Sequence, residues 1–413
     1  MTITPLSAPA EKVTWTVPGR IEVLGKHTDY AGGRSLLAAS DVGITFAATA
    51  IDEPVLRVTS EAIPGEVVEV PFAAQHEDRH GHWSGYPAAV AARLATNFPA
   101  EVRGAQIHVS STLPLASGMS SSSAMIVGLA RCLIDIAGIE STDVFRDNIT
   151  TLEQYAAYLA CIENGQSFGD LAGHAGVGTF GGSEDHTAML CCTAGELSQY
   201  SFCPTRYERR VPFPTDHTFV IAVSGVLAEK SGQARELYNR ASLSTREIVA
   251  LWNKAMDRHD IYLASAVRSQ PDAPEIMRKL LGRTSYLRGR FEQFLAESES
   301  LVPAAADALA AHDLAEFGRL VDQSQTWTEE GLSNQVPQTI SLHRLARSSG
   351  AVAASAFGAG FGGSVWALVP SGDAEDFAAR WLAEYQTHWP EEGSRASTII
   401  TRPGQGVQRT VVA

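Results

Sequence analysis

Gly19-Arg20-Ile21-Glu22-Val23-Leu24-Gly25-Lys26-His27-Thr28-Asp29-Tyr30-Ala31-Gly32-Gly33 decides how this chain is read. Arg, Lys, His, Asp and Tyr crowd into eleven positions between terminal glycines. The apolar and β-branched piece from Ile21 to Leu24 runs into that cluster, which places it on a strand-to-turn edge. Donors and acceptors of both signs converging there suit a small polyhydroxylated ligand, because each buried hydroxyl needs a partner. A solvated turn is the plainer reading, and so dense a polar cluster in one turn argues against it.

The 413 residues predict two domains or one large one. Apolar residues make up 45% and charged residues 19%, as in globular enzymes. The net charge is −14 with no Lys/Arg block, which argues against nucleic acid as a partner. No apolar run reaches the ~18 residues that span a bilayer. The opening MTITPLSAPAEK lacks the basic and apolar regions of a secretion signal, and five Cys form no even framework. The expectation is a cytoplasmic protein with reduced thiols and no membrane partner.

Strands are expected over 12–24 and within 43–72, and again at Ala105–Ser110, Thr218–Val223, Gly362–Val369 and Ser397–Thr401. Helices are expected at Trp83–Ala95, Met125–Ile136, Thr151–Ile162 and Asp373–Tyr385, and helices dominate Arg235–Ala346. Gly165–Gly182 is a glycine-rich loop of unusual length. His76, His80 and His82 read as a solvated loop rather than a metal site. The pattern breaks near Pro204–Pro214, so the expected domains are 1–205 and 206–413, and the fold class is α+β.

A second constellation runs Leu113-Pro114-Leu115-Ala116-Ser117-Gly118-Met119-Ser120-Ser121-Ser122-Ser123-Ala124. Small residues let backbone approach an anion, and the loop leads directly into the Met125 helix. Free N–H groups at a helix start, aided by the dipole, bind phosphate. Without Gly-Lys-Ser/Thr it is not a Walker loop. A flexible turn remains the alternative for these serines taken alone.

Together the two segments resemble the GHMP small-molecule kinases, in their galactokinase branch. The first is similar to Gly-Arg-Val-Asn-Leu-Ile-Gly-Glu-His-Thr-Asp-Tyr-Asn-Gly-Gly. The second resembles Pro-x-Gly-x-Gly-Leu-Ser-Ser-Ser-Ala, and Gly358-Ala359-Gly360-Phe361-Gly362-Gly363-Ser364 resembles the third motif, Gly-x-Gly-Phe-Gly-Gly-Cys. Trp83–Tyr86, Cys161-Ile162-Glu163, Gly181–His186 and Glu236–Arg240 match segments between the motifs, the third of these being similar to Gly-x-Met-Asp-Gln with its aspartate at Asp185. The resemblance implies an N-terminal domain like that of ribosomal protein S5 and a ferredoxin-like C-terminal domain. It also implies ATP and Mg²⁺ as cofactors and a sugar or sugar acid as substrate.

By the same resemblance Asp185 takes the proton of the anomeric hydroxyl and Arg20 keeps that carboxylate ionised. Lys26, His27, Asp29, Tyr238 and the backbone of Gly182 surround the sugar. Ala116, Ser117, Gly118, Met119, Ser120, Ser121, Ser122 and Ser123 cradle the nucleotide phosphates, and Ser122 and Glu163 hold Mg²⁺. A kinase for a non-sugar alcohol and a non-catalytic sugar and ATP sensor are the competing functions. The His27-Thr28-Asp29-Tyr30 motif argues against the first, and the presence of Arg20, Asp185, Glu163 and Ser122 against the second.

The chain also departs from the family pattern. Lys26 stands where galactokinases have the Glu that takes the sugar's carbon-six hydroxyl, and Glu22 replaces the preceding Asn. The stretch from Glu163 to Asp185 is longer, and Ala116 replaces a glycine. An ammonium suits a carboxylate, so a uronic acid such as galacturonate is one expectation. The other is that Lys26 and Glu22 pair with each other. The long loop is expected to reshape the sugar site or to act as a lid. Oligomeric state is not legible.

Overall fold

The structure is a computed structural model describing residues 3, 9–72, 82–113, 118–226, 232–283 and 285–410. Among them, β1 (Lys12–Leu24), β2 (Arg34–Ile51), β3 (Val55–Ser60), β4 (Val67–Pro71), β5 (Gly104–Ser111), β6 (Glu196–Ser201) and β7 (Arg206–Pro212) belong to one sheet. β8 (His217–Val223), β9 (Ala353–Phe357), β10 (Ser364–Pro370) and β11 (Ser397–Thr401) form a second, in the order β11-β8-β10-β9. β12 (Pro403–Gly404) and β13 (Gln408–Thr410) then return to the first sheet, beside β2 and β1. Its main path is β13-β1-β2-β5-β3-β4, antiparallel except for the β3–β5 pair.

The architecture is α+β, in two parts. The boundary expected at 205/206 falls in the turn of the β6–β7 hairpin, and the sheets separate only between Pro212 and His217. Pro204 and Pro214 punctuate the sequence there, but which strand β7 pairs with is a register fact that punctuation does not carry. The return of β12 and β13 was likewise invisible, since such short strands show no periodicity.

The second sheet shows why period-two alternation makes a two-sided layer. Val365, Ala367 and Val369 of β10 pack under the helices Pro337–Ser348 and Ala374–His388. Trp366 and Leu368, alternating with them, join Phe317, Leu320 and Val321 of the Leu314–Trp327 helix in the main core. Burying each of the Val, Leu and Phe side chains among them contributes about 1.5–3 kcal/mol.

The helix Ser121–Ala137 is apolar nearly all round because it lies buried over β1 and β2. Gly138, at φ 67°, ends it. The helix Leu152–Asn164 starts at a capping box, in which Thr151 Oγ1 accepts from the Gln154 N–H and Gln154 Oε1 from the Thr151 N–H. Gly165, at φ 81°, closes it. These boundaries fix where Glu163 sits. The expected elements at 12–24, 218–223 and 397–401 all coincide with strands, to within a residue.

Candidate active site

A cavity of about 640 Å³ is walled by the end of β1, the start of the Ser121 helix, the Gly165–Gly182 loop and the Gly358–Gly363 turn. Arg20 and Glu22 both line it, because alternate residues of a strand share a face and the β1–β2 register is regular between them. Arg20 Nε donates to Asp185 Oδ1 at 2.6 Å, Nη2 to Ser120 Oγ at 2.7 Å, and Nη1 to the Gly118 carbonyl at 3.2 Å. Burial works against the guanidinium charge, yet Asp185, Glu22 and Glu184 more than offset it, so Arg20 stays firmly protonated. Asp185 lies in the first turn of the helix Glu184–Cys191, where the helix dipole favours an anion.

Glu163, near the end of the helix Leu152–Asn164, also lines the cavity. One hydroxyl spans the two carboxylates: Ser123 Oγ stands 2.8 Å from Glu163 Oε2 and 3.3 Å from Asp185 Oδ2. Ser122 also lines the cavity at the helix start. Oxygen donors of this kind fit Mg²⁺, which takes one or two carboxylates from protein and its remaining ligands from phosphate and water. Consistently, no group of three His, Cys, Asp or Glu among the described residues could hold a metal unaided.

On the sugar side the geometry is tight. Asp29 Oδ2 accepts from the Glu184 N–H at 3.2 Å, and a Cβ on Gly182 would collide with that oxygen. Burial pushes the Asp29 carboxyl up to about 6, against the lowering effect of the Tyr30 and Glu184 N–H groups. His27 has φ 58°, a left-handed strain for a non-glycine residue. Its Nε2 donates to the Ala359 carbonyl at 3.0 Å, so Nδ1 accepts from the Tyr30 hydroxyl at 2.8 Å in the neutral ring. Tyr238 packs its ring 5.2 Å from that imidazole, and all of these residues line the cavity.

Lys26 is placed differently. It is 1% exposed and is not among the described residues that line the cavity. Its Nζ donates to Ser324 Oγ at 2.9 Å, and Ser324 Oγ donates in turn to Glu297 Oε1 at 2.9 Å. The pairing expected with Glu22 gives way to this relay, with Lys26 acting on Glu22 only as a nearby charge. Gly25 explains the change of direction: at φ 114°, with Ser35 where a Cβ would stand, it breaks the strand's alternation.

Several residues that hold the site were missed in the sequence. Arg290, Gln293 and Glu297 fall on one face of the helical stretch from Tyr286 to Leu301, at i, i+3 and i+7. Arg290 Nη2 donates to the His27 carbonyl at 2.5 Å, and Gln293 Nε2 to the Lys26 carbonyl at 3.0 Å. Glu297 Oε1 accepts from the Gly25 N–H at 2.7 Å and the Lys26 N–H at 3.3 Å. Together they grip the backbone of the sugar-side turn from over 260 residues away in sequence. The spacing alone could have flagged three polar residues on a buried face, but not their target. Ser123 was grouped with the phosphate loop, though its hydroxyl faces the carboxylates.

Of the phosphate loop, Ala116 and Ser117 lie outside the described residues, as do His76 and His80 of the expected solvated loop. Gly118, Ser120, Ser121, Ser122 and Ser123 line the cavity, whereas Met119 is buried in the core. A Cβ on Gly358 would stand 2.9 Å from the Gly118 carbonyl, so the third motif packs on the second. The long loop is stapled along its length. Arg93 Nη1 donates to the Gln166 carbonyl, Asn97 Nδ2 to the Ala172 carbonyl, and Asn239 holds Gly178 and Phe180. Its residues His174 to Val177 form part of the cavity wall.

Three family models match the chain in order. The galactokinase galactose-binding signature covers residues 7–50, the GHMP kinases N-terminal domain 85–172, and the GHMP kinases C-terminal domain 305–387. A galactokinase of Chloroflexus aggregans is 28% identical over 394 residues, covering 94% of this chain and 91% of that one. A galactokinase of Streptomyces coelicolor is 26% identical and covers 86% and 84%. In fold, the chain superposes on Lactococcus lactis galactokinase complexed with galactose with a TM-score of 0.76, at 23% identity over 96% of this chain and 95% of that. Mevalonate kinase of L. major shares the fold more distantly, with a TM-score of 0.55 at 17% identity over 98% of this chain.

The fold, the order of the motifs and the site place the chain in the GHMP kinase family. Within that family it is of the galactokinase type, an ATP-dependent phosphotransferase with an alcohol group as acceptor. No helix among the described residues is long and apolar enough to cross a membrane.

Proposed function

We propose that this enzyme phosphorylates the anomeric hydroxyl of a neutral monosaccharide, with galactose the first candidate. The observation that carries the reading is the 2.6 Å contact between Arg20 and Asp185 in a cavity shared with Asp29, His27, Gly182 and Tyr238. Asp185 accepts the proton of the attacking hydroxyl, and Arg20 offsets charge on the transferring phosphoryl group. Ile44, Ile63, Val109, Leu113 and Met125, with Trp83 and Tyr86, offer an apolar bed for the base. The N–H groups at the start of the Ser121 helix receive the phosphates. Glu163, with Ser122 or Ser123, would hold Mg²⁺, which supplies charge neutralisation between the phosphates.

The uronate reading rests on Lys26 in place of the family Glu. Two observations favour a neutral sugar instead. Lys26 is committed to Ser324, away from the cavity. The cavity wall carries Glu22, Asp29, Glu163, Glu184 and Asp185, with Arg20 as the one Lys or Arg among its described residues. A sugar carboxylate would enter against that field. A cytoplasmic setting is supported by five cysteines that form no disulfide.

The test is ADP release with MgATP on galactose, galacturonate, glucuronate, arabinose and N-acetylgalactosamine. Turnover on galactose supports the proposal. Turnover on a uronate alone would return Lys26 to the sugar site, and silence on every sugar would point to another alcohol.

A further inference from the structure

We propose that Glu22 and Glu184 hold a single proton between them, and that this pair, carrying one negative charge instead of two, positions Arg20 on Asp185. Both carboxyl groups line the same cavity wall and act on each other's ionisation, and two buried carboxyls that meet can hydrogen bond only if one of them is protonated. They are 3% and 5% exposed, too deep for solvent to share the charge. Glu184 Oε2 is already occupied by the Ser35 hydroxyl at 2.5 Å. Glu22 Oε1 is buried without a hydrogen-bond partner, a costly place for a carboxylate oxygen and a cheaper one for a neutral acid. Both positions depart from the family motifs, which have the uncharged Asn and Met there.

The charged groups around the pair come from every neighbouring element. Arg20 shares the β1 face, Lys26 follows on the next turn, Asp29 faces Glu184, and Asp185 adjoins it on the helix. Fully ionised, Glu22, Glu184 and Asp29 would compete with Asp185 for one guanidinium. With the proton in place, Arg20 keeps its geometry toward Asp185. Burial is the leading cause that raises both carboxyls, and Glu22 is pushed up to about 7. An acid raised in the folded state stabilises it fully below its unfolded value, near 4.5, and loses that contribution as pH rises through about 7. Both act through Arg20, so both are positioning residues. The role rests on the phosphotransfer reading of Arg20 and Asp185, but the shared proton does not.

The full-length enzyme and its Glu22→Gln and Glu184→Gln variants would be unfolded in urea from pH 5 to pH 9. Each Gln supplies the N–H that mimics the protonated partner. The wild-type folding equilibrium should weaken relative to either variant by roughly tenfold per pH unit across the window from about 5 to 7. In parallel, the alkaline fall of kcat with MgATP and the turned-over sugar should be shallower in the variants, with KM for ATP unmoved. Parallel stability curves at every pH overturn the shared proton in whichever variant folds. A stability difference with identical kcat profiles overturns the positioning role alone. If no sugar is turned over, the urea series still decides the proton.

Discussion

Arg20 and Lys26 are two buried cations six residues apart on one segment, and they do opposite things. Arg20 sits within a regular part of β1, where strand parity dictates its face, and it meets Asp185 in the cavity. Lys26 follows Gly25, whose φ of 114° resets the chain, and its ammonium runs into the protein toward Ser324 and Glu297. A charge change at a motif position therefore says nothing about substrate until the side chain's direction is known. The turn that carries Lys26 takes its shape from the Tyr286–Leu301 stretch, not from its own sequence.

That contrast can be broken most severely at the cavity end. Asp185→Asn keeps the size of the side chain and removes the base, so kcat should fall by roughly 10²–10⁴-fold with KM for sugar and ATP little changed. A loss below tenfold in steady-state turnover would take Asp185 out of the chemistry. At the other end, Lys26→Glu sets a second buried carboxylate beside Glu297. Stability in urea should drop by about 3–5 kcal/mol, while the ratio of kcat/KM between galactose and galacturonate stays put. A stable variant with an altered ratio would place Lys26 in the sugar site.

Acidity offers a finer test of the sugar side. Ionised, Asp29 accepts a stronger, charge-assisted bond from a sugar hydroxyl than its neutral form does, and its carboxyl is raised to about 6. KM for the sugar should rise by up to roughly tenfold per unit as pH falls below that value. Asp29→Asn should remove the dependence. Its share of stability runs the other way, present below the unfolded value of 3.8 and lost as pH climbs through about 6. The smallest effect is expected at Ser123→Ala, which removes the hydroxyl between Glu163 and Asp185 at about 0.5–1.5 kcal/mol. In kinetics this should read as a several-fold loss of kcat and a shift in the Mg²⁺ dependence, with KM for the sugar unchanged.

Local signals made much of the site legible. Arg20 is on a strand with clear alternation, Asp29 is in a turn bounded by glycines, and Glu163 is on a helix with a capping box before it and a glycine after it. Gly182 was legible as a backbone position, and the collision of a Cβ with Asp29 gives the reason. Ser123 was hidden among four consecutive serines, because only the helix phase decides which hydroxyl turns inward. The spacing of Arg290, Gln293 and Glu297 was visible but their target was not, since hydrogen bonds to backbone leave no trace in the partner's residue type. The hairpin pairing of β7 and the return of β12 and β13 were hidden for a similar reason.

By itself the sequence determined the class of chemistry and the parts that carry it. Motif residues with dictated local geometry, a strand face, a glycine turn and a helix start, need only nearest neighbours to be placed. Tertiary structure alone decided where Lys26 points, that Glu22 meets Glu184, and what holds the sugar-side turn in its strained form. Those outcomes depend on contacts closed by long loops, in a low-dielectric interior where a charge's partner, not its identity, sets its energy.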